Sequence, residues 1–233
     1  MSEVGGNEYS GSGSLEIMSA AENYNTYLLH LVCAYAKPTD SILDFGAGIG
    51  TFSIPLKKKG FDISAVETDL NQLKRVSESG ITSFSSIEKT HNETYDYIFS
   101  LNVLEHIEDD VSLLKMCRDK IKPGGRLLIY VPAFQILYSS MDKNVGHFRR
   151  YTRAELLGKV NSAGFHVIKN EYVDCIGFFA SLLFKFFGND DGSINKKALI
   201  VYDRYFFPLS RAADMFFNRF FGKNVFLLAV RNN

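Results

Sequence analysis

Short continuous apolar runs alternate with amphipathic stretches along this chain, and the spacing of the apolar positions changes from one to the next. ENYNTYLLHLVCAYA (22–36) has helical spacing and stops before Pro38. SILDF (41–45) is apolar throughout and runs into a glycine-rich turn, so it predicts a buried strand. A helix is expected from about 51 to 59, closed by Gly60, then a strand at DISAVE (62–67) and a helix at DLNQLKRVSES (69–79) with Asp69 as its N-cap. ITSFSS (81–86) and YDYIFSL (95–101) predict strands three and four, with a helix over 109–120. KPGGRLLIYVPA (122–133) turns at its paired glycines into a fifth strand. TRAE (152–155) is a capping box, Gly164 ends that helix, and FHVIKNEYV (165–173) and VFLLAV (225–230) are the last two strands. Strands that alternate with helices in this way imply an α/β, doubly wound sheet.

Composition adds limits. With 46% hydrophobic residues among 233 the chain can bury a sizeable core. Lys+Arg and Asp+Glu both number 26, so no bulk charge draws it to nucleic acid. Cys33, Cys117 and Cys175 are widely separated and odd in number, which predicts reduced thiols in a cytoplasmic protein and no bound metal. The opening MSEVGGNEYSGSGS lacks the apolar centre of a signal peptide, and its Gly and Ser content predicts a flexible tail over 1–14. Phe is unevenly placed: 12 of 20 fall in the last 58 positions. The longest apolar stretch among them, CIGFFASLLFKFF, is 13 residues with a lysine inside, short of the ~20 that a spanning helix needs.

The segment LDFGAGIGTF carries the first chemical signal. Gly46, Gly48 and Gly50 follow a strand and open a helix. Glycines let the backbone turn tightly and approach a ligand, and a helix N-terminus favours negative charge. A dinucleotide fingerprint would put its third glycine at 51, which is Thr51, and Asp44 precedes the first glycine by two residues. Glu67, 21 residues after Gly46, ends the second strand, where a carboxylate can accept both hydroxyls of a ribose.

Together, LDFGAGIGTF, AVETD, FSLNVLEHI and KPGGRLLIYVP resemble the successive motifs of class I, Rossmann-like S-adenosylmethionine-dependent methyltransferases, over about residues 15–172. The resemblance implies a seven-stranded sheet with the last strand antiparallel, and S-adenosyl-L-methionine as cofactor. It also implies that Asp44, Gly46, Ala47, Gly48, Gly50 and Thr51 run under the methionine part, with Glu67 and Thr68 at the ribose. Leu101, Asn102 and Val103 would lie beside the sulfonium and adenine. An acid that many relatives place after the third strand is absent here, and Ser86 with the Ile87 backbone stands in its place.

The acceptor side is read from the carboxyl edge of the sheet, where ligands bind in open α/β folds. Asn102 and His106 follow strand four there, with Tyr24 on the first helix as a further contact. The stretch GHFRRYT (146–152) lies in a loop that leaves strand five and returns to the capped helix, so both its ends are expected at that edge. A GH-aromatic-RRYT loop recurs in a subgroup of the resembled family. His147, Tyr151 and His106 are accordingly candidate proton acceptors, and Arg149 and Arg150 candidate acceptor-binding cations. A solvated loop closing on the helix is the plainer alternative.

Between strands six and seven about 50 residues (174–223) replace a short hairpin, splitting the methyltransferase domain into 15–173 and 224–233. This Phe-rich helical insertion reads as a cap on the domain, as a contact with a twin subunit in a homodimer, or as a peripheral membrane element. The leading function is methyl transfer to a small-molecule or lipid-linked acceptor. The alternatives are an NAD(P)-dependent oxidoreductase on the same fold and a non-catalytic cofactor-binding module.

Overall fold

The computed structural model describes residues 16–187 and 195–232. The expected tail at 1–14 lies outside the described residues. Seven strands form one sheet: β1 (Ser41–Phe45), β2 (Asp62–Val66), β3 (Thr82–Phe84), β4 (Tyr95–Leu101), β5 (Ile121–Pro132), β6 (Phe165–Val173) and β7 (Asn224–Arg231). Their order is β3-β2-β1-β4-β5-β7-β6, parallel from β3 to β5. β7 runs antiparallel to both its neighbours. The expectation named only its pairing with β6; β7 also inserts beside β5.

The central strands are apolar on both faces because helices cover both. On one face α1 (Glu22–Tyr35), α2 (Ser53–Lys58) and α3 (Leu70–Glu78) bring Leu28, Val32, Leu56 and Val76 onto Ile42, Tyr97 and Leu128. On the other, α4 (Asp110–Lys120) and, after a short α5 (Ser140–Asn144), α6 (Arg153–Ser162) bring Leu114, Cys117, Leu156 and Val160 onto Leu43, Ile98 and Leu227. The helix starts follow local chemistry. The Asp69 carboxylate accepts the Asn71 and Gln72 amides, Asp109 accepts that of Ser112, and Thr152 and Glu155 cap each other reciprocally.

The β6–β7 connection holds α7 (Cys175–Phe187), α8 (Lys196–Val201), a π-helical turn (Tyr202–Phe206) and α9 (Phe207–Phe217). It packs on α1. Asp203 accepts the backbone amides of Asn23 and Tyr24, both at 2.9 Å, and Phe207 meets the rings of Tyr24 and Tyr27 edge-on. No helix among the described residues is long and apolar enough to cross a membrane.

Candidate active site

The carboxyl ends of β1, β2 and β4 meet in one cradle. Gly46, Gly48 and Gly50 have φ of 84°, 54° and 82°, the left-handed region that favours glycine. A Cβ on Gly46 would lie 2.3 Å from a Val103 methyl, so the glycine turn presses against the segment leaving β4. The Gly46 and Ala47 amides both donate to Val66 O, which anchors the turn to β2. Asp44 is buried and accepts the Ser53 hydroxyl; burial pushes its carboxyl up to about 7 against that hydrogen bond. Its position ties the end of β1 to the start of α2 beneath the loop.

Glu67 closes the other side. Its Oε2 accepts the Gly48 amide at 2.7 Å and its Oε1 the Asp69 amide at 2.9 Å. The carboxylate is thereby fixed between the glycine turn and the turn after β2, and each oxygen keeps a further lone pair for a ligand hydroxyl. Thr68 follows Glu67 in the chain and is exposed, and Thr51 follows Gly50 in the turn, half-buried. Ser86 and Ile87 sit just beyond β3, with the Ser86 hydroxyl drawn to the Glu88 carboxylate. This donor and acceptor set fits a ribose-bearing cofactor whose backbone contacts need glycine.

Asn102, after β4, takes φ 56° while its amide donates to Tyr130 O at 2.7 Å. Asn tolerates that backbone better than most residues. Its side chain donates to the Tyr24 hydroxyl at 3.4 Å, and Tyr24 rests on Tyr130 and Phe207. The cradle, α1 and the insertion are therefore in contact at one point. Leu101 and Val103 line the same edge, Leu101 buried.

The loop after β5 starts and ends side by side. Tyr151 N donates to Pro132 O at 2.9 Å and Phe134 N to Tyr151 O at 3.0 Å. Within it, His147 Nδ1 lies 2.7 Å from Asp142 Oδ1, and its Nε2 lies 3.7 Å from Glu105 Oε1. The rings of His106 and His147 meet edge to face with centroids 4.5 Å apart. Burial, then the neighbouring His147, brings the His106 imidazole down to about 4, so it is neutral at physiological pH. Glu105 is fully buried with neither carboxyl oxygen hydrogen-bonded, and burial lifts it to about 8. Glu105, His106 and His147 offer ligand atoms within 4.8 Å of one another.

Three of the candidate side chains are engaged within the protein itself. Arg150 is buried and grips Asp142 with Nε to Oδ1 at 2.9 Å and Nη2 to Oδ2 at 3.0 Å, so it has no face for an acceptor. Arg149 is committed to Asp110 Oδ2 at 2.9 Å and Glu108 O at 2.8 Å. Tyr151 is buried, and its hydroxyl donates to Asp110 Oδ2 at 2.8 Å; burial and that bond push it up, away from any role as a base. Lys159 completes the cluster on Asp110 at 2.7 Å. Burial alone would raise the Asp110 carboxyl, yet Lys159 and Tyr151 outweigh it and hold it below the usual carboxylate range. Asp142, Asp110 and Glu105 were missed from sequence. Glu105 stood next to His106 in LEHI, but nothing local marks Asp142 or Asp110 as partners of residues five to forty-one positions away.

Comparison with known proteins identifies the family and the fold. The profile of a family described as a methyltransferase domain matches residues 19–170. A ubiquinone biosynthesis O-methyltransferase of Actinobacillus pleuropneumoniae is 25% identical over 187 residues, covering 68% of this chain and 78% of that protein. Other curated relatives, such as that of Vibrio cholerae at 26% identity, are spanned over about half their length, 52% in that case. Among solved structures, an S-adenosylmethionine-dependent methyltransferase from Archaeoglobus fulgidus superposes with a TM-score of 0.62 at 18% identity, over 91% of this chain and 94% of that one. Phosphoethanolamine N-methyltransferase 2 of Haemonchus contortus, in complex with S-adenosylhomocysteine, gives 0.61 at 19%, over 91% of this chain and 53% of that one.

Proposed function

The chain belongs to the methyltransferase-domain family and is an S-adenosylmethionine-dependent methyltransferase, and on that premise we propose that it methylates a hydroxyl on a small amphiphilic acceptor. The nicotinamide and non-catalytic alternatives are set aside by the family match. S-Adenosylmethionine supplies an electrophilic methyl group on a sulfonium. The glycine turn and Glu67 would hold its polar parts, and Leu101 to Val103 would flank it at the end of β4. An in-line displacement then needs alignment of the acceptor and a place for its proton.

The observation that carries the reading is the Asp142–His147 contact of 2.7 Å at the carboxyl edge. With Nδ1–H donated to Asp142, Nε2, 3.7 Å from the buried Glu105 carboxyl, keeps the lone pair that takes the acceptor's proton, while Asp142 steadies the imidazolium formed. Neutral His106, edge-on to His147, adds no positive charge to oppose that step. Asn102 and Tyr24 offer polar contacts to the acceptor. Its apolar part meets an aromatic wall: Phe134 stacks on Tyr172 at 4.6 Å and meets Phe178 at 5.5 Å. The relatives named as ubiquinone biosynthesis O-methyltransferases support a hydroxyl acceptor with apolar character. Incubating the protein with methyl-labelled cofactor and fractionated cell extract tests this. Label should enter organic-phase products as an ether; label confined to water-soluble amines or to protein would overturn the reading.

A further inference from the structure

The long helical run of the insertion is inverted relative to an ordinary surface helix. Asp203, Phe207, Ser210 and Asp214 are its buried positions, spaced four, three and four apart. Three of these four are polar, and each is used. Asp203 caps α1, Ser210 Oγ accepts the Ile176 amide at 2.9 Å, and Asp214 accepts the Asp174 and Cys175 amides at 2.8 Å. The opposite face carries Val201, Tyr205, Leu209 and Phe216 at spacings of four, four and seven, all exposed. Three of the four buried positions are thus polar, while large apolar side chains face outward.

The neighbouring elements continue this surface. On α7, Phe179, Leu183 and Phe186 recur at four and three, and Phe220 follows α9. Phe186 is 68% exposed, Phe216 74% and Phe220 70%, far more than a water-facing core residue would be. A contiguous patch of this kind marks an interaction surface.

Charge decides the occupant. In the described part of the insertion the acids are Asp174, Asp203 and Asp214, and all three are buried. The exposed charges are Lys185, Lys196, Lys197, Arg204 and Arg219. Among the described residues, a two-fold contact between copies of this chain would set the patch against itself and bring these cations together with no exposed acid of the insertion between them. A bilayer with anionic headgroups instead accepts aromatic side chains at its boundary and cations at its phosphates. We propose that the outer face of α7, α8 and α9 docks the enzyme on an anionic lipid surface. The insertion also touches Tyr24 beside Asn102, so docking places the carboxyl edge of the sheet next to the membrane. This goes beyond the acceptor assignment and is measured without any acceptor.

The chain contains no Trp, so Phe216→Trp gives a single reporter. Its emission should shift to the blue on adding phosphatidylglycerol-containing vesicles and stay unchanged with phosphatidylcholine vesicles. Added salt should weaken the binding. In co-sedimentation, Leu209→Asp should abolish binding. Arg204→Gln with Arg219→Gln should weaken it by roughly tenfold or more, each cation near an anionic surface being worth about fivefold. Cofactor affinity of these variants should match the parent, which establishes that they are folded. An unshifted reporter, with the protein left in the supernatant of anionic vesicles, would overturn the proposal. So would a blue shift that appears without vesicles and rises with protein concentration, because the occupant would then be a second copy.

Discussion

Arg150 and Asp142 form a buried side-on pair, Nε to Oδ1 at 2.9 Å and Nη2 to Oδ2 at 3.0 Å. The same Asp142 oxygen that receives Arg150 Nε also faces His147 Nδ1 at 2.7 Å. One carboxylate therefore fastens the loop and sets the histidine, and the arginine holds the carboxylate in place. Burial would raise Asp142, but the His147 and Arg150 hydrogen bonds bring it down to about 2. It is ionised throughout the working range.

Removing the arginine leaves Asp142 buried without its main partner. Arg150→Ala should cost about 3–5 kcal/mol of stability, measured by denaturant unfolding. A substrate-binding arginine would instead leave stability unchanged and alter only acceptor KM.

Glu67→Ala should weaken S-adenosylmethionine binding by about 1–3 kcal/mol, the scale for hydrogen bonds to a charged group. The Gly48 and Asp69 amides lose their acceptor, but both sit at the open edge, where water replaces it. Titration calorimetry reads the loss, and circular dichroism should show the fold intact.

The buried Glu105 carboxyl makes stability depend on pH. Its folded value of about 8 lies above the ordinary 4.5. The native state therefore keeps its proton while the unfolded chain loses it. Stability is full below pH ~4.5 and falls as pH rises toward 8, by about 1.4 kcal/mol per pH unit. Glu105→Gln removes that dependence. The parent-minus-variant difference in unfolding free energy should fall between pH 5 and pH 8. Asp44 is common to both proteins and cancels. A difference that is flat in pH would show that Glu105 is not held neutral in the fold.

Asp203 caps α1 from a position 180 residues away in sequence. Asp203→Ala should cost about 1–2 kcal/mol and loosen the insertion from Tyr24. Limited proteolysis should then cut first within the insertion, before the sheet. Unchanged cleavage would mean that the remaining contacts, Phe207 on Tyr24 and Tyr27 and Arg211 over Tyr27, hold the insertion without the cap.

Much of the frame was legible because its signals are local. SILDF and YDYIFSL coincide with β1 and β4, since buried central strands are apolar runs, and FHVIKNEYV coincides with the edge strand β6, announced by Gly164 before it. Thr152 and Glu155 announced their helix by spacing alone. What the sequence concealed is pairing at a distance. Arg149, Arg150 and Tyr151 look like a set of free polar groups until Asp110 and Asp142 arrive from other elements and bind them. A run of charges in sequence does not say whether it faces solvent, a ligand or a buried acid. Likewise the Phe-rich segment read as helical, but only the positions of Asp203, Ser210 and Asp214 reveal that its apolar side is the outer one.

The central claim is that His147, set by Asp142, takes the acceptor's proton. Single-turnover methyl transfer by His147→Ala, at saturating labelled cofactor and with the acceptor fraction identified from extract, tests it most directly. The rate should fall by about 10²–10⁴-fold, the usual contribution of a general base, with cofactor affinity unchanged. It should partly recover as pH rises and the acceptor ionises unaided. A variant that transfers the methyl group at close to the parent rate at neutral pH would contradict the account.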